Sequence, residues 1–178
     1  MGLVDRLLGR TPAPPGWAAT LAAGEEPLAV AEVSAGHLVA TRLGLWVPEQ
    51  DGPLRLGWHL ISRAGWDGGV LELTVSQETG TSGSAVLLAD VEVRRYAIVE
   101  PAGLPALVNE RVTASVRSAH HRELPGGGAW FVQRSVPGHD GVVLQVRVDE
   151  GTDLDVVTDV AATVAAALPR PDAGESPV

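Results

Sequence analysis

The chain contains neither cysteine nor lysine. Without cysteine there is no disulfide, no thiolate nucleophile and no cysteine-ligated zinc or iron–sulfur site. That absence fits a reducing compartment, and the expected location is cytoplasmic. All 13 basic residues are arginine, and with abundant alanine, glycine and valine this points to GC-rich coding more than to arginine chemistry at a site. Aromatics are sparse: five tryptophans (Trp17, Trp46, Trp58, Trp66 and Trp130), one tyrosine and one phenylalanine. Positive charge is also scarce. The net charge of −9 and pI of about 4.9 oppose binding to phosphate backbones and anionic headgroups, so no nucleic-acid partner and no stable membrane association are expected. No apolar run approaches the roughly 18 residues of a membrane span. The start, MGLVDRLLGR, lacks the apolar core of a secretory signal, and Arg6 breaks the myristoylation pattern.

Hydrophobic residues make up 45% of the 178-residue chain, which is ample for a core and is carried by valine, leucine and alanine. Residues 1–16 read as a short amphipathic turn followed by a proline-rich linker, residues 17–168 as one domain, and residues 169–178 as a disordered tail. Strand signals occupy residues 28–33, 37–41, 45–47, 54–58, 70–75 and 87–99, separated by turn residues such as Asp67-Gly68-Gly69. Residues 78–84 read as a flexible loop. Leu104, Leu107, Val108, Val112 and Val116 recur at helical spacing and predict a helix over 104–118. Further strands are expected near Arg122–Leu124, at Trp130–Arg134 and at Val142–Val148. Thr152 with Asp155 resembles a capping box, opening a helix over 153–168 whose stripe is Leu154, Val157, Val160, Ala161, Val164 and Leu168. The fold class is therefore α+β: a strongly bent antiparallel sheet or partly closed barrel with two helices.

Residues 24–75 carry Gly24-Glu25, then HLVATRLGLWVPE and LRLGWHLISRAGWDGGVLELTV. Trp58, Ile61, Ala64 and Trp66 stand in this stretch as they do in the pleckstrin-homology-like β-barrels of bacteria, which it resembles. The chain is also similar to a group of uncharacterised actinobacterial proteins, through Asn109-Glu110-Arg111-Val112-Thr113-Ala114-Ser115-Val116 and the closing Asp149-Glu150-Gly151 turn and helix. The resemblance implies a pleckstrin-homology-like interaction module. The helix at 104–118 departs from the usual seven strands and one terminal helix. The basic phosphoinositide-binding loop is missing, so lipid recognition is not implied.

Candidate chemistry is thin. His120 and His121 are adjacent, so on a strand they face opposite ways and cannot share a metal. His139-Asp140 lies in a Pro-Gly turn, and a hydrolase would need it or His120 to meet Ser82, Ser84 or Ser115. Gly80-Thr81-Ser82-Gly83 lacks the spacing of a nucleophile elbow. Gly126-Gly127-Gly128 lacks the Lys and Ser/Thr of a phosphate loop and reads as a hairpin. Trp58 and Trp66 are expected in the core, with an exposed patch for a partner as the alternative. Arg111 lies off the helical stripe and suits either a buried ion pair or a solvated charge. No catalytic, cofactor-binding or metal-ligating set emerges. The expected function is a non-catalytic interaction or scaffolding module with a protein partner. A small-molecule or lipid-binding barrel and a cryptic hydrolase are the alternatives.

Overall fold

Small apolar residues alternating with outward-facing ones make Ala29–Val33 a strand, β1, with Ala29, Ala31 and Val33 buried and Val30 and Glu32 facing out. The chain turns at Gly36 and continues as β2 (Gly36–Ala40), β3 (Gly44–Val47) and β4 (Leu54–Gly57). Together they form a four-stranded antiparallel sheet in the order β1-β2-β3-β4. A 3₁₀ turn at Trp58–Leu60 leads into β5 (Ile61–Trp66), β6 (Val70–Ser82) and β7 (Ala85–Ala97). Helix α1 (Leu104–Ser115), strands β8 (Val116–Leu124), β9 (Gly127–Arg134) and β10 (Val143–Val148), and helix α2 (Leu154–Ala167) complete the order. The second sheet has the order β5-β6-β7-β10-β9-β8. The fold is α+β with two helices, in a computed structural model that describes residues 11–137 and 141–168.

Several expectations need correction. The first helix ends at Ser115, because Val116 and its successors pair with β9 and extend a strand signal first read near Arg122. Residues 78–84 are not a flexible loop: β6 runs to Ser82, and only the Gly83-Ser84 turn separates it from β7. Long polar strands lose the apolar alternation that marks a strand, so QETGTS was misread. The second sheet is not wholly antiparallel, since β10 pairs parallel with β7 through Gln145, Val146 and Arg147. Thr152 is not the cap of α2. Asp153 is, its carboxylate accepting the amides of Asp155 and Val156 at 3.0 and 3.4 Å.

Within the span read as one domain, contacts group the chain into two compact units. Unit one runs to Val75 and resumes over Glu92–Ala114, while unit two comprises Ser76–Val91 and the chain from Ser115. Each has its own core. In unit one, Leu38, Leu45, Val47, Leu71 and Leu73 pack with Trp58, Ile61 and the buried stripe of α1, Leu104, Val108 and Val112. In unit two, Val157, Ala161 and Ala165 of α2 pack with Ala85, Ala129, Phe131, Leu144 and Val146. Leu154 was placed on that stripe, but it is 63% exposed, one turn before the helix meets the sheet.

The two central tryptophans part company. Trp58 is 2% exposed and its indole N–H donates to the Thr41 carbonyl at 3.1 Å, whereas Trp66 is 38% exposed, contrary to its expected core placement. Trp58 opens the 3₁₀ turn and points inward, but Trp66 ends β5, a strand at the sheet's border. Urea unfolding should therefore show Trp58→Ala losing roughly 3–5 kcal/mol through its cavity. Trp66→Ala should lose under about 1 kcal/mol, as exposed positions do. Equal losses would contradict the placement.

Candidate functional site

The residues that could have made a hydrolase are engaged elsewhere. The Ser82 hydroxyl donates to the Thr158 carbonyl at 2.7 Å, fastening β6 to α2 within unit two. Ser115 accepts from the Arg134 guanidinium at 3.1 Å, and Arg134 is itself 5% exposed. Burial and then the charge of Arg147 push Arg134 down to about 10. Ser84 stands in the β6–β7 turn. His121 bonds to the Asp149 carboxylate at 2.6 Å and its ring lies 5.1 Å from that of Trp130, while neighbouring His120 faces solvent. His139-Asp140 lies outside the described residues. Among the described residues no three His, Asp or Glu side chains converge to hold a metal. Arg111 is half-buried, and among the described residues its Nε has no hydrogen-bond partner and the side chain makes no ion pair.

The three consecutive glycines have a steric explanation. A Cβ on Gly126, whose φ is +85°, would stand 2.3 Å from the Gly151 carbonyl oxygen. One on Gly127 would stand 2.6 Å from Thr152 Oγ1, and one on Gly128 would stand 2.7 Å from His121 Nε2. Thr152 uses this closeness: its hydroxyl reaches the amide and carbonyl of Gly128 and the carbonyl of Asp149, each at 2.9 Å. The glycines admit a second backbone, not a phosphate.

Glu25, which sequence reasoning quoted only within a resemblance, is a carboxylate with four hydrogen-bond donors around it. Its side chain is fully buried. It accepts from Thr41 Oγ1 at 2.5 Å, Ala22 N at 3.0 Å, Trp46 Nε1 at 3.1 Å and Arg55 Nη1 at 3.2 Å. Arg55 also lies over the Trp46 ring at 5.5 Å, and Trp17 meets that ring edge-on at 6.2 Å. Burial alone would raise the Glu25 pKa. The Thr41, Ala22 and Trp46 hydrogen bonds and the Arg55 charge outweigh it and hold the carboxyl below its usual value. Every bond is internal, so this is a fastening, not an open site.

Open sites lie elsewhere in unit one. A cavity of about 690 Å³ is lined by residues 30–34 together with Ala97, Val99, Glu100 and Ala102. Four consecutive strand residues, 30–33, can border one cavity only along the strand's edge, because their side chains alternate between faces. β1 is the border strand of its sheet, with β2 on one side. Val99 is 95% exposed, and Ala102 holds a left-handed φ of +44°, a strained conformation for alanine. A second cavity of about 630 Å³ surrounds the β3–β4 turn at Glu49–Leu54, but Arg94 there is already paired with Glu49 and Glu92. A third of about 330 Å³ lies between Trp66 and Leu71 of the sheet and Pro105, Ala106 and Asn109 of α1. The β1 groove escaped the sequence reading because its two walls are some sixty residues apart. The strand expected over 87–99 ends at Ala97, so Val99 and Glu100 stand outside it.

No protein-family model, no curated protein and no solved structure matches the chain. The functional reading therefore rests on the geometry and the sequence of the chain itself. Among the described residues no helix is long and apolar enough to cross a membrane.

Two outcomes are expected. A folded carboxyl with a depressed pKa contributes stability present above its unfolded value and lost as pH falls through its folded value. The stability gap between the native chain and Glu25→Gln should thus be full at pH 7 and close below about pH 4.5, the usual value, in urea titrations at each pH. A gap constant with pH would contradict a charge-dependent fastening. Gly126→Ala should cost more than about 1 kcal/mol, through φ and the Gly151 clash together. An unchanged melting temperature would refute that close approach.

Proposed function

We propose that the protein is a non-catalytic interaction module that binds another protein along the β1 groove of unit one. The observation that carries this reading is the groove bordered by four consecutive residues of an edge strand and the turn residue after them. Loops and edges that leave backbone polar groups unpaired, next to an exposed apolar side chain such as Val99, suit a macromolecular partner better than a reaction. The engagement of Ser82, Ser115 and His121 in structural bonds favours binding over hydrolysis. Kinship with pleckstrin-homology-like proteins and a cytoplasmic location belong to the same proposal. They are supported by the pattern over residues 24–75, by the acidic composition and by the lack of cysteine.

The cavity volume also falls within the roughly 300–1,000 Å³ of small-molecule sites. That favours, as a second reading, a small ligand in the same place. Native mass spectrometry of freshly purified protein separates the two: a retained adduct supports the second reading, and a bare mass removes it.

A photo-crosslinking residue at position 99 should capture a protein in the native cell. The purified partner should then bind the full chain saturably, and Val99→Arg should weaken that complex by about tenfold or more without lowering the melting temperature. Affinity unchanged by Val99→Arg would overturn the groove as the binding surface.

A further inference from the structure

We infer that the β1 groove receives an extended, basic segment of the partner, which adds to the four-stranded sheet as a fifth strand. The inference rests on the reading of the groove as the binding surface and names the chemistry of its occupant. β1 is hydrogen-bonded to β2 along one side, and among the described residues no strand pairs with the other. An edge of this kind presents amides and carbonyls at the repeat of an extended chain, and a peptide lying along it satisfies both sets of groups at once. A helix or a flat surface would leave them unpaired.

The charge of the occupant follows from the groove's own charge. Glu32 projects from the exposed face of β1, and Glu100 stands in the opposite wall. Both are exposed, and among the described residues neither makes an ion pair. No basic residue lines the groove. The excess of 22 acidic over 13 basic residues across the chain adds attraction for a cation from further away. Edge strand β8 provides the contrast. Its exposed side chains include Arg117, Arg122 and Glu123, charges of both signs that discourage strand addition by any one charge type. At β1 the charge is of one sign and lies beside the apolar Ala97, Val99 and Ala102. The fitting segment therefore places lysine or arginine at alternate positions, with valine- or threonine-sized residues between them.

The test uses the full chain and a fluorescein-labelled, end-blocked eight-residue peptide in which lysine alternates with valine and threonine. A second peptide carries glutamate in place of lysine, and a third carries proline in place of the residues between. The lysine peptide should bind about tenfold or more tighter than the glutamate peptide at low ionic strength, and the preference should shrink as salt is added. The proline peptide, which lacks the backbone donor at every second position and resists the extended pairing, should bind about tenfold more weakly than the lysine one. In NMR spectra the shifted amides should be those of residues 30–34, 97–100 and 102. Glu32→Arg combined with Glu100→Arg, both at exposed positions, should reverse the charge preference with the melting temperature retained.

Equal binding of the lysine and glutamate peptides would overturn the inference, as would shifts elsewhere or proline tolerance. If the peptides fail while the partner captured at position 99 still depends on Val99, the occupant is not a basic strand and the interaction reading stands. Sedimentation that shows a dimer dispersed by Val99→Arg would assign the groove to a second copy of the chain. Peptide binding that appears only after deletion of residues 1–10 would assign it to the chain itself. Either result overturns the inference.

Discussion

A single buried carboxylate organises the sheet of unit one. Glu25 has lost all its water and can only accept hydrogen bonds, so its charge persists there only while donors surround it. Four donors arrive from four places: the Ala22 amide, the hydroxyl of Thr41 after β2, the Trp46 indole on β3 and the Arg55 guanidinium on β4. No one of them suffices. The ends of β2, β3 and β4 are therefore fixed together or not at all, and the Thr41 carbonyl passes the constraint on to Trp58 and so to the core. The convergence ties together β2, β3 and β4, which stand in chain order with β1 at the border beside β2.

Unit two is fastened differently. Its tight point holds no buried charge. Gly126 and Gly127 let the backbone at Gly151 and Thr152 come within a distance that any side chain would forbid, and the Thr152 hydroxyl then bridges Gly128 and Asp149. Asp153 begins α2 immediately afterwards, so the direction in which the helix leaves is set by the same few residues that close the β8–β9 turn. The two units thus use opposite means, electrostatic saturation in one and steric permission in the other.

What could be read from the sequence was local. The stripes of α1 and α2, the Asp67 turn and most strands announce themselves by period, because burial imposes that period directly. The Asp67 carboxylate takes the amides of Gly69 and Val70, as an Asp-Gly-Gly turn suggests. What could not be read depended on partners distant in sequence. Val116 continues a helical stripe by spacing, yet it becomes a strand because β9 is there to pair with it. Trp66 has the composition of a core residue but sits where the sheet ends. Thr152 has the right spacing for a cap, yet it is drawn off by Gly128. The candidate site was less legible still: Glu32 and Val99 are unremarkable in their own segments, and only the tertiary fold sets them beside one groove.

Strand β6 begins in unit one and β7 ends there, but the stretch between, Ser76–Val91, belongs to unit two. One hairpin of unit two is therefore inserted in the chain of unit one, while the rest of unit two follows it from Ser115, so synthesis delivers the two in a fixed order. Everything unit one needs has been made once Ala114 has emerged. The Ser76–Val91 hairpin is exposed by then, but its parallel partner β10 and its covering helix α2 are still to be synthesised. During that interval a nascent chain carries all the residues of unit one and a β7 strand that lacks its β10 neighbour. A strand edge left unpaired in this way is aggregation-prone until its partner has been made.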